Sequence, residues 1–147
     1  MEDCINFFVE EIAFKLNNED SICDWILSCI TDHGRECGEI NFIFCSDEYL
    51  IEMNKEHLAH DFYTDILTFP YSEPGKDPII SDIYISVDRV KENADTLAIP
   101  FLDELHRVMI HGVLHLLGYD DHAEADILKM RAKENEALLS RTFSSES

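Results

Sequence analysis

The 147-residue chain has the length of one domain, and its 46% of hydrophobic residues can build a sizeable core. Its net charge of −20, from 31 acidic and 11 basic residues, argues against non-specific binding of nucleic acid, which needs clustered lysine and arginine. A local basic cleft is compatible with that total, because a site responds mainly to nearby charges. We predict a single domain over residues 1–147.

The start of the sequence and its cysteines predict a cytoplasmic protein. The first residues, MEDC, are acidic where a secretory signal would be basic, and no stretch has the roughly 18 apolar residues of a membrane span. The five cysteines are odd in number and include no C-x-x-C pair, which argues against a disulfide framework or a cysteine-rich zinc site. We expect buried or half-buried thiols in a reducing compartment.

The first half of the chain predicts two strands and two helices. Residues 5–16 alternate and are rich in aromatics, which indicates a strand with room for a bulge near residue 10. A helix is predicted from Ser21 to Gly34, since apolar residues recur there at steps of three and four. Residues 39–45 predict a second strand, and 47–57 predict a short helix.

The second half predicts a hairpin followed by three helices. Strands over 66–69 and 79–87 flank a turn rich in proline and glycine. Helices are expected over 88–97, from Pro100 to Gly118 and over 123–140. Because strands and helices interleave, we expect an α+β fold with a small mixed sheet of about four strands packed by helices.

The helix predicted from Pro100 to Gly118 has a pattern that is typical of a buried metal site. Its apolar residues go almost all the way round, which indicates burial. His111 and His115 are four residues apart, so they stand on one face and can converge on a single ion. For such a pair alone, two buried histidines bonded to backbone carbonyls are the alternative.

The residues after this helix strengthen the metal hypothesis. Gly118 can adopt a left-handed conformation that ends the helix and turns the chain back towards the imidazoles. Asp120, Asp121 and His122 then arrive beside them. Two imidazoles and a closing oxygen or nitrogen ligand are typical of zinc sites, so we predict a buried metal-bearing helix.

Three blocks of the sequence resemble the YbeY family, metal-dependent endoribonucleases of ribosomal RNA maturation and ribosome quality control. HGVLHLLGYD, over residues 111–120, is similar to the family motif H-G-x-L-H-L-x-G-Y-D-H. The second block runs from Asn54 to Pro70, and the third is SDIYIS over 81–86, where Ser81 replaces the family's glycine. The blocks follow the family order over nearly the whole chain, and the long histidine motif is the specific one.

The resemblance implies a hydrolase that cleaves phosphodiester bonds of single-stranded RNA. Its expected partners are ribosomal RNA and small ribosomal subunit proteins, and its expected cofactor is zinc, although nickel or another divalent ion fits too. The catalytic centre would comprise a metal-bound water and His111. The oligomeric state stays open.

Two positions depart from the family pattern. The third histidine of the motif would fall where this chain has Asp121, and His122 comes one residue late. We favour Asp121 over His122 as the third ligand, because zinc accepts a carboxylate and turn geometry selects the side chain that points back. The family's arginine would fall at Leu58, which cannot attract phosphate electrostatically.

Residues of the second block are candidates for substrate contact or for support of the metal ligands. Lys55, His57 and His60 could supply the missing cation, or they could form a solvated helix end. Thr64 and Asp65 precede a strand and could orient a ligand or a phosphate.

Arg107 is a further candidate, because it lies one turn before the first motif histidine. The alternative for Arg107 is an ion pair with Asp103 or Glu104. His33 and His106 are expected to be ordinary surface residues.

Other function classes fit parts of the pattern. H-x-x-x-H-x-x-G resembles zinc proteases, but these need a glutamate directly after the first histidine, where this chain has Gly112. A metallohydrolase of another substrate would suit the acidity and the missing arginine. A ribosome-associated module with a structural metal would need four protein ligands, for instance both Asp121 and His122.

Overall fold

The computed structural model describes residues 4–58 and 64–143, and within these ranges the chain forms four strands and five helices. They are β1 (Ile5–Glu10), α1 (Glu19–Asp32), β2 (Cys37–Cys45), α2 (Asp47–Leu58), β3 (Ile66–Pro70), β4 (Ile79–Ser86), α3 (Val87–Leu97), α4 (Phe101–Leu116) and α5 (Glu124–Leu139). The predicted α+β class is confirmed, and the element boundaries lie close to the expected ones except in the first strand.

The four strands form a mixed sheet in the order β1-β2-β4-β3. β1, β2 and β4 run parallel, and β3 pairs antiparallel with β4, which confirms the predicted hairpin. Phe42 and Phe44 of β2 lie beside Ile83 and Ile85 of β4 on one face, and all four side chains are fully buried. That face therefore carries the main core.

The prediction of one strand over residues 5–16 is wrong in its second half. β1 ends at Glu10, which pairs with Cys45, the last residue of β2, so the ladder has no further partner there. Glu11 has a φ of 55°, which turns the chain away. Phe14 and Leu16 still pack against the core, so the apolar pattern reflects a loop that covers the sheet.

α4 lies against the core face of the sheet and packs beside α3 and α5. Leu105, Met109 and Val113 are fully buried, which confirms the prediction of a buried helix. Gly112 faces the sheet so closely that an added Cβ would lie 2.9 Å from Cδ1 of Ile66 and 3.3 Å from Cδ1 of Ile83. The sheet thus fixes the rotation of α4 about its own axis.

α2 covers part of the opposite face of the sheet, where Leu50 and Leu67 form a second small cluster with Cys45. Ser86 links this side to α3, because its hydroxyl accepts the backbone N–H of Arg89 at 3.0 Å and donates to Asp47 at 2.6 Å. The end of β4 is therefore held between α2 and α3.

The cysteines are buried or half-buried, as expected. Burial is the main cause that raises the pKa of Cys29 to about 11 and that of Cys45 to about 12. Both thiols therefore stay protonated near neutral pH, in which form they are poor nucleophiles. Among the described helices, none combines the length and the apolar character that crossing a bilayer requires.

Candidate metal centre

Two histidines of α4 and an aspartate of the following turn bring three metal-ligating atoms together. Nε2 of His111 and Nε2 of His115 each lie 3.4 Å from Oδ2 of Asp121. The two imidazole rings are 4.7 Å apart at an angle of 82°. One ligand atom from each residue lies within 4.8 Å of the others.

These distances fit a tetrahedral ion. Ligand atoms that each lie about 2.0–2.2 Å from a tetrahedral zinc are separated from one another by about 3.4 Å. Two imidazole nitrogens and one carboxylate oxygen are also the donor set of catalytic zinc sites, which leave the fourth position for water or substrate. The group can therefore bind a metal, and its donors do not by themselves select one divalent ion.

The end of α4 explains how Asp121 reaches the histidines. After the last helical residue, Gly118 adopts a φ of 107°, which residues with a side chain rarely do. The N–H groups of Gly118 and Tyr119 donate to the carbonyls of His115 and Leu114, both at 3.0 Å. These bonds end the helix and turn the chain back, as we predicted from the presence of Gly118.

Asp121 and His122 point in different directions after this turn. The Asp121 carboxylate lies beside both helical imidazoles, whereas the side chain of His122 is 85% exposed and its Nε2 lies 3.2 Å from Asp120. Asp120, Asp121 and His122 form a second, more exposed group whose potential ligand atoms lie within 4.8 Å of one another, and it includes neither helical histidine. The structure therefore brings Asp121, and not His122, to the two histidines.

Glu134 of α5 is a functional candidate that the sequence analysis missed. Its Oε2 lies 2.6 Å from Nδ1 of His111, and the residue is only 1% exposed. The sequence does contain a pattern that indicates burial of Glu134. It comes four residues after Met130 and three before Ala137, and both of these residues pack into the core. A glutamate on this apolar stripe of α5 indicates a buried carboxylate with a specific partner.

Arg107 lies behind His111 rather than facing open solvent. Its guanidinium donates to both oxygens of Glu104 and to Glu134 at 3.2 Å, so the alternative ion pair with Glu104 is present. Asp103 instead pairs with Arg141 at 3.1 Å. The charge of Arg107 is thus balanced by two buried carboxylates.

The pKa values of this network follow from burial opposed by charge. Burial alone would raise the pKa of Glu134, but the His111 hydrogen bond and the charges of Arg107 and Arg131 outweigh it and lower that pKa. Burial would likewise lower the pKa of Arg107, but its bonds to Glu104 and Glu134 raise it. Both groups are therefore charged at neutral pH.

The remaining candidates from the second block lie outside the group of three ligand atoms. Lys55 is exposed, with its Nζ 3.6 Å from Glu52, and the exposed His57 packs edge-on against Phe69 with ring centres 5.8 Å apart. His60 lies outside the described residues, and so does the side chain of Leu58. Substrate roles for these residues stay predictions.

Thr64 and Asp65 lead into β3 close to α3. The Thr64 hydroxyl donates to the carbonyl of Ile66 at 3.5 Å, and Asp65 accepts from the side chain of Asn93 at 3.4 Å. Burial raises the pKa of Asp65, and the charges of Arg107 and His111 offset only part of that rise. Their support of a ligand or phosphate stays a prediction.

The expectation that His106 is a surface residue is wrong. His106 is 2% exposed, packs edge-on against Trp25 and Phe143, and its Nδ1 lies 2.8 Å from Nη1 of Arg141. The reason is that α4 is covered on nearly all sides, so a position outside the metal face is also internal. Burial, aided by the charge of Arg141, lowers the pKa of His106 to about 4. His33 is exposed as expected, and bonds to the Tyr119 hydroxyl at 2.9 Å.

The orientation of Gly112 argues against a zinc-protease mechanism. The position directly after the first histidine faces the side chains of Ile66 and Ile83 in the sheet. A carboxylate there would be buried among apolar atoms and could not act as a general base for water at the metal.

Comparisons with known proteins identify the family. The family model described as Endoribonuclease YbeY matches residues 5–141. An Endoribonuclease YbeY of Flavobacterium psychrophilum is 51% identical over 131 residues, which cover 89% of this chain and 92% of that protein. An Endoribonuclease YbeY of Cytophaga hutchinsonii is 46% identical over 142 residues, which cover 97% of this chain and 99% of that protein.

A solved structure has the same fold. The solution structure of TM1509 from Thermotoga maritima superimposes with a TM-score of 0.65 at 26% identity, and the match covers 97% of this chain and 95% of that one. The family model and the relatives each span most of the sequence, including both histidines and the aspartate of the ligand group. The chain belongs to the Endoribonuclease YbeY family.

Proposed function

We propose that this protein is a metal-dependent endoribonuclease that cleaves single-stranded regions of ribosomal RNA during ribosome maturation and quality control. The observation that carries the proposal is the convergence of His111, His115 and Asp121, with nitrogen-to-oxygen distances of 3.4 Å, in a chain whose relatives are named endoribonucleases. We assign these three residues as the metal ligands.

The chain's own residues hold the ion and keep one side of it open. His111 is supported from behind by the buried Glu134, while His115 and Asp121 have side chains that are 31% and 35% exposed. A phosphodiester can therefore approach from the side of His115 and Asp121. When bound, a divalent ion supplies polarisation of the phosphoryl oxygen and a water of lowered pKa as nucleophile.

Zinc is the cofactor that we propose, because two imidazoles and a carboxylate are typical zinc ligands. Nickel and other divalent ions accept the same donors, so the metal in the purified protein must be measured directly. Elemental analysis should give about one zinc per chain. A different stoichiometric metal would replace zinc in the proposal without changing the ligands.

The proposed activity can be tested with short RNA. Wild type should cleave a single-stranded RNA, should lose that activity with a chelator, and should regain it when metal is restored. His111→Ala should be inactive under all three conditions, whereas Glu136→Gln, altered at an exposed position of α5, should behave as wild type. Cleavage that persists in both the chelator and the His111 variant would contradict the proposal.

Partners and location follow from the same proposal. A chain with net charge −20 gains little from long-range attraction to RNA, so we propose that small ribosomal subunit proteins help to present the substrate in the cytoplasm. Adding isolated small subunits should lower the RNA concentration that half-saturates cleavage. Unchanged kinetics with subunits present would remove these partners from the proposal.

A structural metal is the second candidate function of the site. It would require His122 as a fourth ligand beside Asp121, but the 85% exposure of His122 disfavours this closure. X-ray absorption of the loaded protein distinguishes the two, because a catalytic site has two histidine ligands and a water whereas the closed site has three histidines.

A further inference from the structure

A line of charged side chains runs between α4 and α5, where the neighbouring contacts are apolar. Glu104, Arg107 and His111 follow one another at steps of three and four residues, so they share the α4 face that meets α5. Glu134 stands opposite them, and the two glutamates have exposures of 0% and 1%. Burying carboxylates costs several kcal/mol that an apolar seam would not cost, so packing alone does not explain the line.

The two oxygens of Glu134 have different partners. Oε1 accepts from Nη1 of Arg131 at 2.9 Å and from Nη1 of Arg107 at 3.2 Å. Oε2 lies 2.6 Å from Nδ1 of His111. An ionised carboxylate only accepts hydrogen bonds, so Nδ1 of His111 must carry the proton. In the neutral ring, Nε2, which lies 3.4 Å from Asp121, is then the nitrogen with the free lone pair.

Arg107 keeps this carboxylate in place. It is held on its own helix by both oxygens of Glu104 and reaches across to Glu134 with its remaining terminal nitrogen. Rotation of the Glu134 side chain would break the bonds to Arg107 and Arg131 together. The orientation of Glu134 is therefore determined by the two arginines, independently of His111.

We propose that Glu134 is a positioning residue for the metal centre, which holds His111 as the Nδ1-protonated tautomer and fixes its ring so that Nε2 faces the ion. Carboxylates behind metal-ligating histidines typically act in this way. The proposal rests on the metal role of His111 under "Proposed function". Arg107 then holds Glu134 in place, and its guanidinium faces Glu104 and Glu134 rather than the substrate.

Glu134→Gln tests the proposal because the glutamine amide has one oxygen where glutamate has two. Both arginines donate to the Oε1 position, so the amide oxygen is expected there and the NH2 group at the Oε2 position. The NH2 group donates, which requires His111 to accept at Nδ1 and to carry its proton on Nε2. The substitution should therefore invert the tautomer and block the atom that binds the metal.

The measurement is made on metal-free protein at pH 8 from the side-chain ¹⁵N signals of the histidines, with His111 assigned by its loss in His111→Gln. Wild type should give the Nδ1-protonated tautomer and Glu134→Gln the Nε2-protonated one. A titration should show metal affinity reduced about 10- to 100-fold in Glu134→Gln. The control Glu136→Gln makes the same change at an exposed position two residues away and should match wild type.

The possible results distinguish a positioning role of Glu134 from a purely structural role. If Glu134 served only to neutralise the arginines, Glu134→Gln would lower the free energy of unfolding and leave tautomer and metal affinity unchanged, which would overturn the proposal. If the variant does not fold, the wild-type tautomer decides alone, since an Nε2-protonated His111 would also overturn it. Metal binding that survives His111→Ala would refute the metal role itself, whatever the result for Glu134.

Discussion

The three proposed metal ligands differ in how firmly the surrounding structure holds them. His111 has a buried carboxylate behind its ring, whereas Asp121 lies on the turn after α4 and is about one-third exposed. His122, one residue further, is directed into solvent. Asp121 can therefore act as a metal ligand whereas the adjacent His122 is poorly placed to do so. The backbone direction after Gly118 determines which of the two side chains points back towards the imidazoles.

Removing a direct ligand should weaken metal binding far more than removing His122. His111→Ala, His115→Ala and Asp121→Ala should each reduce affinity by more than about 100-fold, since the loss of a supporting partner alone typically costs 10- to 100-fold. His122→Ala should change affinity less than about threefold, because its side chain stands apart from the imidazoles. Competition with a chromophoric chelator measures all four. A larger loss for His122→Ala than for Asp121→Ala would make His122 the third ligand.

His106 should make stability fall in mild acid. Its pKa is about 4 in the folded chain against about 6.5 in an unfolded one, so the unfolded state binds more protons between these values. The contribution of His106 to the free energy of unfolding is complete above pH 6.5. It is lost as the pH falls towards 4, by about 3 kcal/mol in all.

His106→Gln keeps an acceptor for Arg141 but does not titrate, so it isolates this effect. Urea unfolding of the metal-free proteins at several pH values between 6.5 and 4.5 should show a steeper loss in wild type, by about 1 kcal/mol per pH unit. The nearby Asp103 and Arg141 are present in both proteins and cancel in the comparison. Parallel pH profiles would mean that the pKa of His106 is the same in the folded chain as in the unfolded one, and would contradict the lowered value.

At the scale of elements, α4 is the component on which the rest of the site depends. The sheet fixes its rotation through the contact at Gly112, α5 supplies Glu134, and the turn at Gly118 returns Asp121. The strands of the sheet supply none of the three ligand atoms. Their contribution is the apolar face against which α4 is buried, while the side chains of the two histidines stay partly exposed.

Two glycines at close contacts between elements should differ in their tolerance of alanine. At Gly38 of β2 a Cβ would lie 2.7 Å from Cβ of Pro78 and 3.0 Å from the carbonyl oxygen of Ile79, which cannot move without disturbing β4. At Gly112 it meets the flexible ends of two isoleucines, and alanine also favours the helix by about 1 kcal/mol.

Gly38→Ala should therefore cost about 1 to 3 kcal/mol of unfolding free energy, and Gly112→Ala less than about 1 kcal/mol. Urea unfolding of the metal-free variants beside wild type provides the measurement. The opposite order would show that the spacing between β2 and β4 adapts more easily than the packing of α4 on the sheet.

At the scale of the whole molecule, net charge limits how RNA can bind. Several of the 11 basic side chains are engaged by carboxylates, among them Arg35, Arg89, Arg107 and Arg141. Few cations then remain to neutralise phosphates, and the acidic surface repels the backbone. Binding should depend mainly on the metal and on contacts near it.

Unaided binding of single-stranded RNA should accordingly be weak, with a logarithmic salt slope smaller than about 2, since each phosphate contributes about 0.7. Leu58→Arg introduces the arginine that the resemblance to the family predicts there, and should raise the slope by about 0.7. Leu97→Arg makes the same charge change at the end of α3 and should leave the slope unchanged, because Leu97 precedes the start of α4, and that start lies about 15 Å along the helix from His111. Tight binding by wild type with a steep slope would reveal a basic patch that the charge balance does not predict.

The sequence by itself determined the parts of this protein that depend on local spacing. The i, i+4 histidines, the helix-ending Gly118 and the hairpin turn specify their geometry within a few residues, and the family motif spans the same segment. Only the tertiary structure decided what depends on contacts between distant elements. Glu134 reaches His111 because α5 folds back along α4, and His106 is buried because α4 is covered on most sides. β1 stops at Glu10 because β2 ends beside it, which no pattern within residues 5–16 could reveal.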